Sequence, residues 1–102
     1  MSDPLHVIRL RGAWTVTADG PRYRHTRRFG WPAALDPSER VWLVVAGTGP
    51  DDAMAVNGTP VGDEADITHV LRPRNEFVLL RSTDAPPGGV SLEVRRVDSA
   101  PG

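Results

Sequence analysis

Polar and apolar side chains alternate between residues 22 and 29, with the period of two expected of a β-strand. One face would carry Tyr23, His25, Arg27 and Phe29, and the other would carry Arg22, Arg24, Thr26 and Arg28. The first face mixes aromatic and basic side chains, whereas the second is polar throughout. The pattern therefore predicts a strand with one mixed face toward the interior and one face toward water.

A second segment, residues 41–46, is apolar at every position and reads Val-Trp-Leu-Val-Val-Ala. A run of this kind is typical of a central strand whose outer face is also at least partly covered. We therefore expect the main core strand here, and the pattern favours a packed Trp42 over an exposed one.

Shorter strand-like segments occupy much of the remaining chain, at residues 5–10, 14–17, 53–56, 76–81 and 90–97. Turn-forming residues separate them, at Asp19-Gly20-Pro21, Asn57-Gly58 and Pro86-Pro87-Gly88-Gly89. Residues 30–39 have loop composition and are expected to cross between two sheets. Seven or so short strands with almost no helical periodicity predict an all-β antiparallel sandwich.

One helical turn interrupts this strand pattern. Asp66 is placed to cap a turn through Val70 and Leu71, because its carboxylate can accept hydrogen bonds from amides at the start of a helix. Pro73 would end that turn.

Length and composition limit the organisation of the chain. The 102 residues suit one domain, 1–102, with residues 98–102 expected to fray. No apolar run approaches the ~20 residues of a membrane helix, and the first residues lack a secretory-signal pattern, so we expect a cytoplasmic protein without membrane contact. Cysteine is absent, which removes disulfides, thiolate nucleophiles and Cys-based metal sites.

The charge balance bears on the choice of partner. The net charge is -1, and all 12 basic residues are arginine. A dedicated nucleic-acid binder needs a net basic surface, so no nucleic-acid partner is expected.

Several short motifs after residue 20 occur in an order that carries a resemblance. They are Arg27-Arg28-Phe29, Val41-Trp42-Leu43, Gly47, Ala55-Val56-Asn57-Gly58, Val61-Gly62, Asp66-Ile67-Thr68, Leu71, Asn75 and Val78-Leu79-Leu80. In this order they resemble the N-terminal sugar-binding-type jelly-roll domain of family 2 glycoside hydrolases, over about residues 20–97. The resemblance implies a jelly roll of the galactose-binding-domain-like group, with Asn57-Gly58 in its hairpin.

Two departures from that family limit what the resemblance implies. Only Asp63, Glu64 and Ala65 separate the hairpin from Asp66, where the family usually has a longer, aromatic-containing loop that helps to shape a sugar site. The family's catalytic carboxylates lie on a separate barrel domain, which this chain does not contain. Hydrolase activity is therefore not expected, and a sugar site could have been lost.

The sequence offers no pattern for catalysis, a metal or a cofactor. Its five serines lack the context of a catalytic nucleophile, and adjacent acids in turns are typical of solvated ends. The histidines His6, His25 and His69 share no local motif, so structural or solvated roles are favoured. A weak calcium site among Asp63, Glu64 and Asp66 is the one open alternative to a solvated acidic turn.

Three residues are candidate ligand contacts. Trp31, flanked by Gly30 and Pro32, could stack on a sugar, although a loop tryptophan that plugs one end of the sandwich is the favoured alternative. Arg24 and Arg28 could grip an anionic group through forked hydrogen bonds. Pairing of these arginines with acids such as Glu93, or protection of a sheet edge, is favoured over that role.

The sequence therefore predicts a non-catalytic binding module on a jelly-roll scaffold. A carbohydrate-binding module with Trp31, Arg24 and Arg28 as contacts is the first hypothesis. A protein-interaction or assembly module that has lost the sugar site is the second. A third hypothesis is that a polyanion docks on the row formed by Arg22, Arg24 and Arg28, which the overall charge disfavours.

Overall fold

The computed structural model describes residues 6–12, 14–31 and 35–97, which form nine strands and one short helix. The strands are β1 (His6–Arg9), β2 (Thr15–Asp19), β3 (Arg22–Gly30), β4 (Glu39–Ala46), β5 (Ala53–Val56), β6 (Thr59–Val61), β7 (Glu64–Asp66), β8 (Arg74–Arg81) and β9 (Gly89–Arg96). The helix is a 3₁₀ turn at Thr68–Val70, and no described helix is long and apolar enough to cross a membrane. Leu5, Pro32 and the predicted frayed tail 98–102 lie outside the described residues.

The strands form two antiparallel sheets packed as a sandwich. The four-stranded sheet has the order β1-β9-β4-β7, and the five-stranded sheet has the order β2-β3-β8-β5-β6. The predicted all-β jelly-roll sandwich is thereby confirmed. The segment between β3 and β4 changes sheets, as its loop composition predicted.

The core lies between the two sheets and draws on alternate positions of the central strands. Its fully buried side chains are Val41, Leu43, Val56, Ile67, Phe77 and Leu79. In β3 the alternation is as predicted, because His25 and Phe29 are buried while Arg22, Arg24 and Arg28 are exposed. Strand period alone therefore identified the inner face of β3.

The alternation in β4 places Trp42 on the outer face of its sheet, which is partly covered as the apolar run predicted. Val41, Leu43 and Val45 point inward, so Trp42 and Val44 lie on the outer face of the four-stranded sheet, where both are half-buried. Trp42 thus lies outside the core, but it is packed and not fully exposed, as the sequence favoured. What covers it is the guanidinium of Arg95 on the neighbouring strand β9, 4.5 Å from the centre of the indole ring.

Asn57 and Gly58 close the hairpin between β5 and β6, and Asn75 of β8 supports it. Asn57 and Gly58 both have positive φ angles, 50° and 83°, as the Asn-Gly pair predicted. The Asn57 side chain donates to the carbonyl of Val70 at 2.8 Å and to Asn75 at 3.0 Å. Because Asn75 is only 3% exposed, its contact ties the hairpin to β8 through a buried polar network, while the bond to Val70 ties it to the segment before β8.

The segment around Asp66 differs from its predicted form. Asp66 ends the three-residue strand β7 instead of capping an α-helical turn, and residues 68–70 form a 3₁₀ turn whose N-cap position is Ile67. The carboxylate still accepts from the backbone amide of Thr68 at 3.0 Å. Strands β6 and β7 were not predicted as separate elements, because three residues are too few to show a period of two.

Candidate functional site

Trp31 lies just past the end of β3 and packs against the buried core. Its backbone amide donates to the carbonyl of Pro73 at 3.0 Å, and its indole Nε1 is buried without a hydrogen-bond partner among the described residues. These contacts are those expected of the favoured alternative, in which a loop tryptophan plugs one end of the sandwich. The role of Trp31 as a sugar contact stays a prediction.

Arg24 and Arg28 lie together on the outer face of β3, apart from the position of Trp31. Arg24 pairs with Asp19 at 3.0 Å, and Arg28, which is 82% exposed, contacts Glu76 at 3.5 Å. Both arginines therefore have acidic neighbours on adjacent strands, although Glu93 is not one of them. Glu93 lies on β9 in the other sheet and binds Arg95.

A cleft of about 810 Å³ lies on the other sheet, over the indole of Trp42. We call it the outer-face cleft, and its lining residues are Pro37, Ser38, Arg40, Trp42, Asp66, Arg95, Arg96 and Val97. It combines one aromatic ring with several planar hydrogen-bonding groups. None of the three residues that the sequence nominated lines it.

Two acids hold the guanidinium of Arg95 over the indole ring. Its Nε and one terminal nitrogen donate to the same oxygen of Glu93, at 3.0 and 2.8 Å, and Glu64 lies 3.5 Å away. Burial lowers the pKa of Arg95, but the hydrogen bonds and charges of Glu93 and Glu64 outweigh burial and raise that pKa above its ordinary value. The guanidinium therefore stays charged and oriented beside the ring.

A second ion pair fixes the opposite side of the outer-face cleft. Arg40 donates from Nε to Asp66 at 2.9 Å, while the other oxygen of Asp66 accepts from the hydroxyl of Thr68 at 2.7 Å. That hydroxyl in turn accepts from the backbone amide of Val41 at 2.7 Å. The polar groups on this side are thus anchored to the backbone of β4.

The described residues contain no group of three or more His, Asp or Glu side chains that could hold a metal ion. His25 is fully buried and its Nε2 lies 2.9 Å from the carbonyl of Thr83. Asp66, one of the acids considered for calcium, is instead paired with Arg40. The structure therefore gives the weak calcium site no support within the described part of the chain.

The sequence contained a usable signal for the outer-face cleft. Side chains alternate between the two faces of a strand, so if Val41, Leu43 and Val45 face the core, the residues between them must face outward. Trp42, next to Arg40 on that outward face, is therefore expected to place its ring at the surface. The apolar character of Val44 hid this pattern. Pairing of Trp42 with Asp66 and Glu93 across the sheet could not be predicted without the strand order.

Comparisons with known proteins give one informative result. No family model matches the sequence, and no curated protein matches it. The fold is similar to part of the crystal structure of an FMN-binding β-glucuronidase from Facaelibacterium prausnitzii L2-6, with a TM-score of 0.69 and 20% sequence identity. The similarity covers 90% of this chain but only 23% of that one, so the chain has the fold of one portion of a β-glucuronidase.

Proposed function

We propose that this chain is a non-catalytic carbohydrate-binding module and that the outer-face cleft is its sugar site. The observation that carries the proposal is the half-buried indole of Trp42, which lies between the ion pairs of Arg40 and Arg95. An aromatic surface with a few oriented polar groups is the usual composition of a small-molecule site.

The chemistry of a sugar matches both components. A pyranose has an apolar face of C–H groups, which would pack on the accessible part of the indole that Arg95 does not cover, and hydroxyls at its rim that donate and accept hydrogen bonds. Arginine offers several donors in a fixed plane, and the carboxylate of Asp66 is an acceptor. Because ion pairs already hold these side chains, little conformational entropy would be lost on binding.

The fold comparison supports a carbohydrate context. The similar portion belongs to a β-glucuronidase, and the motif resemblance is to a sugar-binding-type domain. That resemblance implies that catalysis belongs to another domain, in keeping with a module that binds without cleaving. Trp31, Arg24 and Arg28 remain an alternative position for the contacts.

The test is a thermal-shift screen with mono- and oligosaccharides, followed by titration of any hit. A ligand at ~100 times its dissociation constant adds about 2.7 kcal/mol to folded-state stability, which raises the midpoint of a domain of this size by roughly ten degrees. Trp42→Ala should abolish the shift. Loss of binding in Trp31→Phe with full binding in Trp42→Ala would instead place the site at Trp31, and a flat screen would refute sugar binding.

A second candidate function is an assembly module. It is favoured by β2, a sheet edge at which all five residues are exposed and Val16 is 41% exposed. Among the described residues β2 pairs only with β3, so its other edge is open to hydrogen bonding with another strand.

A further inference from the structure

A second cleft, of about 540 Å³, lies where β1 and β4 end and β9 begins. We call it the end cleft. Arg9 and Arg11 line it together with Trp14, Pro86, Pro87 and Gly88. It is separate from the outer-face cleft, with which it shares no lining residue.

The charged side chains that line the end cleft among the described residues are all positive. Among the described residues that line it, Arg9 and Arg11 are the ionisable ones, and none is an aspartate or a glutamate. Both arginines are exposed, and within the described residues neither side chain forms an ion pair or a hydrogen bond. Five other arginines of the described chain form ion pairs, namely Arg24, Arg28, Arg40, Arg81 and Arg95. Two uncompensated guanidinium groups therefore face a shared space.

The opposite wall of the end cleft is apolar. Trp14 is half-buried and packs edge-on against Phe77, with ring centres 5.8 Å apart and planes at 79°. Pro86 and Pro87 present rigid rings beside it. These groups offer a surface to an apolar body, while the arginines offer charge-assisted donors to an anionic head.

Side chains of the five-stranded sheet hold the loop that carries Pro86 and Pro87. Arg81 donates to the carbonyls of Ala85 and Gly47, each at 3.2 Å, and it pairs with the nearly buried Asp52 at 3.3 Å. His25 contacts the carbonyl of Thr83 at 2.9 Å. The buried His25 and the half-buried Arg81 thus anchor this loop through the carbonyls of Thr83 and Ala85.

Close backbone contacts also fix the rim of the end cleft, where Gly88 meets Ala46 and Gly47. The Gly88 amide donates to Ala46 at 3.0 Å, and a Cβ added to Gly47, which has a φ of +78°, would lie 3.0 Å from the Gly88 nitrogen. The walls of the end cleft are thus formed before any ligand arrives, which lowers the entropy cost of binding.

We propose that the end cleft binds a small organic anion, with its phosphate or carboxylate group on Arg9 and Arg11 and its apolar body against Trp14, Pro86 and Pro87. The guanidinium fork matches the oxygens of either head group. The site is independent of sugar binding at the outer-face cleft, so one can fail without the other.

The probes are phenyl phosphate, benzoate, inorganic phosphate and phenol, titrated into the ¹⁵N-labelled protein. The readout is the backbone amide shift of Gly12, Gly88 and Gly89, which line the end cleft and not the outer-face cleft. Phenyl phosphate should bind with a dissociation constant of about 1 mM or tighter, and about tenfold more tightly than inorganic phosphate because the ring buries apolar area. Benzoate against phenyl phosphate distinguishes the two head groups, and phenol should not bind measurably.

Matched variants separate this site from general attraction of anions. Arg9→Gln and Arg11→Gln should each weaken phenyl phosphate binding about tenfold, since each removes charge-assisted hydrogen bonds. Arg22→Gln is the control, because Arg22 is also exposed and also lacks an ion pair within the described residues. Absence of saturable shifts at the three glycines, or an equal loss of affinity in Arg22→Gln, would overturn the proposal.

Discussion

Burial and hydrogen bonding have opposite effects on the pKa of the Asp66 carboxyl group. Burial raises its pKa, but hydrogen bonds from the Thr68 hydroxyl, the Arg40 guanidinium and the Thr68 amide, with the charge of Arg40, outweigh burial and lower the pKa below its ordinary value of 3.8. The ionised form is therefore the one that the fold stabilises. A lowered pKa in the folded state means that this stabilisation is present above the unfolded-state pKa and is lost as the pH falls through the folded-state value.

Asp66→Asn tests this balance. At neutral pH the variant should lose about 1–2 kcal/mol of unfolding free energy, because its amide replaces only part of the hydrogen bonding of the carboxylate. The difference from the native protein should be constant above about pH 5. It should shrink as the pH falls below about 4, where an unfolded-state aspartate becomes protonated, and through the lowered folded-state pKa of Asp66. Urea unfolding at a series of pH values measures both quantities. A difference that stays the same down to pH 2 would show that the ionisation of Asp66 does not contribute.

At the scale of elements, two ion pairs of the five-stranded sheet and its loops differ mainly in burial. Arg81 and Asp52 have side chains that are 12% and 7% exposed, whereas Arg24 and Asp19 are 46% and 48% exposed. Removing one partner of a buried pair leaves an uncompensated charge, which costs more than the pair contributes in total. The contribution of an exposed pair is screened by water and salt.

Arg81→Met should therefore destabilise the protein by about 3–5 kcal/mol, while Arg24→Gln should cost less than about 1 kcal/mol. The double variant Arg81→Met with Asp52→Asn should recover part of the loss, because no buried charge is then left alone. Urea unfolding followed by circular dichroism measures all three. Equal effects of Arg81→Met and Arg24→Gln would contradict the assignment of Arg81 as the residue that fixes loop 82–88.

Elements were predictable from the sequence to the extent that their residues show a period or a turn signal. The long alternation of β3 and the Asn57-Gly58 hairpin meet this condition, so the inner face of one and the reversal at the other were predicted correctly. The three-residue strands β6 and β7 do not meet it. The outward position of Trp42 had a signal in the sequence, but neither cleft as a whole could be predicted. Arg95 reaches the Trp42 ring, and Arg11 and Pro87 come to line one cleft, only through the order in which distant strands pair.

At the scale of the whole molecule, the four edges of the two sheets are protected unequally against association. Edge strand β6 contains Pro60, β7 is three residues long with acids at both ends, and β1 carries His6 and Arg9. Prolines, charges and short length all discourage edge-to-edge pairing. Only β2, among the edges formed by the described residues, combines five residues with an uncharged stretch from Thr15 to Ala18.

We predict that two copies of the chain pair antiparallel through β2. A two-fold axis at Thr17 would place Val16 opposite Ala18 of the second copy and Asp19 opposite Thr15, so that no like charges face each other. An interface of one five-residue strand from each copy should fall well below the roughly 1,200 Å² of a stable complex, so the dimer should be weak and should form only at high protein concentration.

Sedimentation velocity across a concentration series measures the extent of this association. Val16→Lys should abolish association, whereas Val7→Lys is the matched control, because Val7 lies on edge strand β1 with 42% exposure against 41% for Val16. A protein that remains monomeric at every concentration, or a Val7→Lys variant that dissociates as fully as Val16→Lys, would exclude pairing through β2.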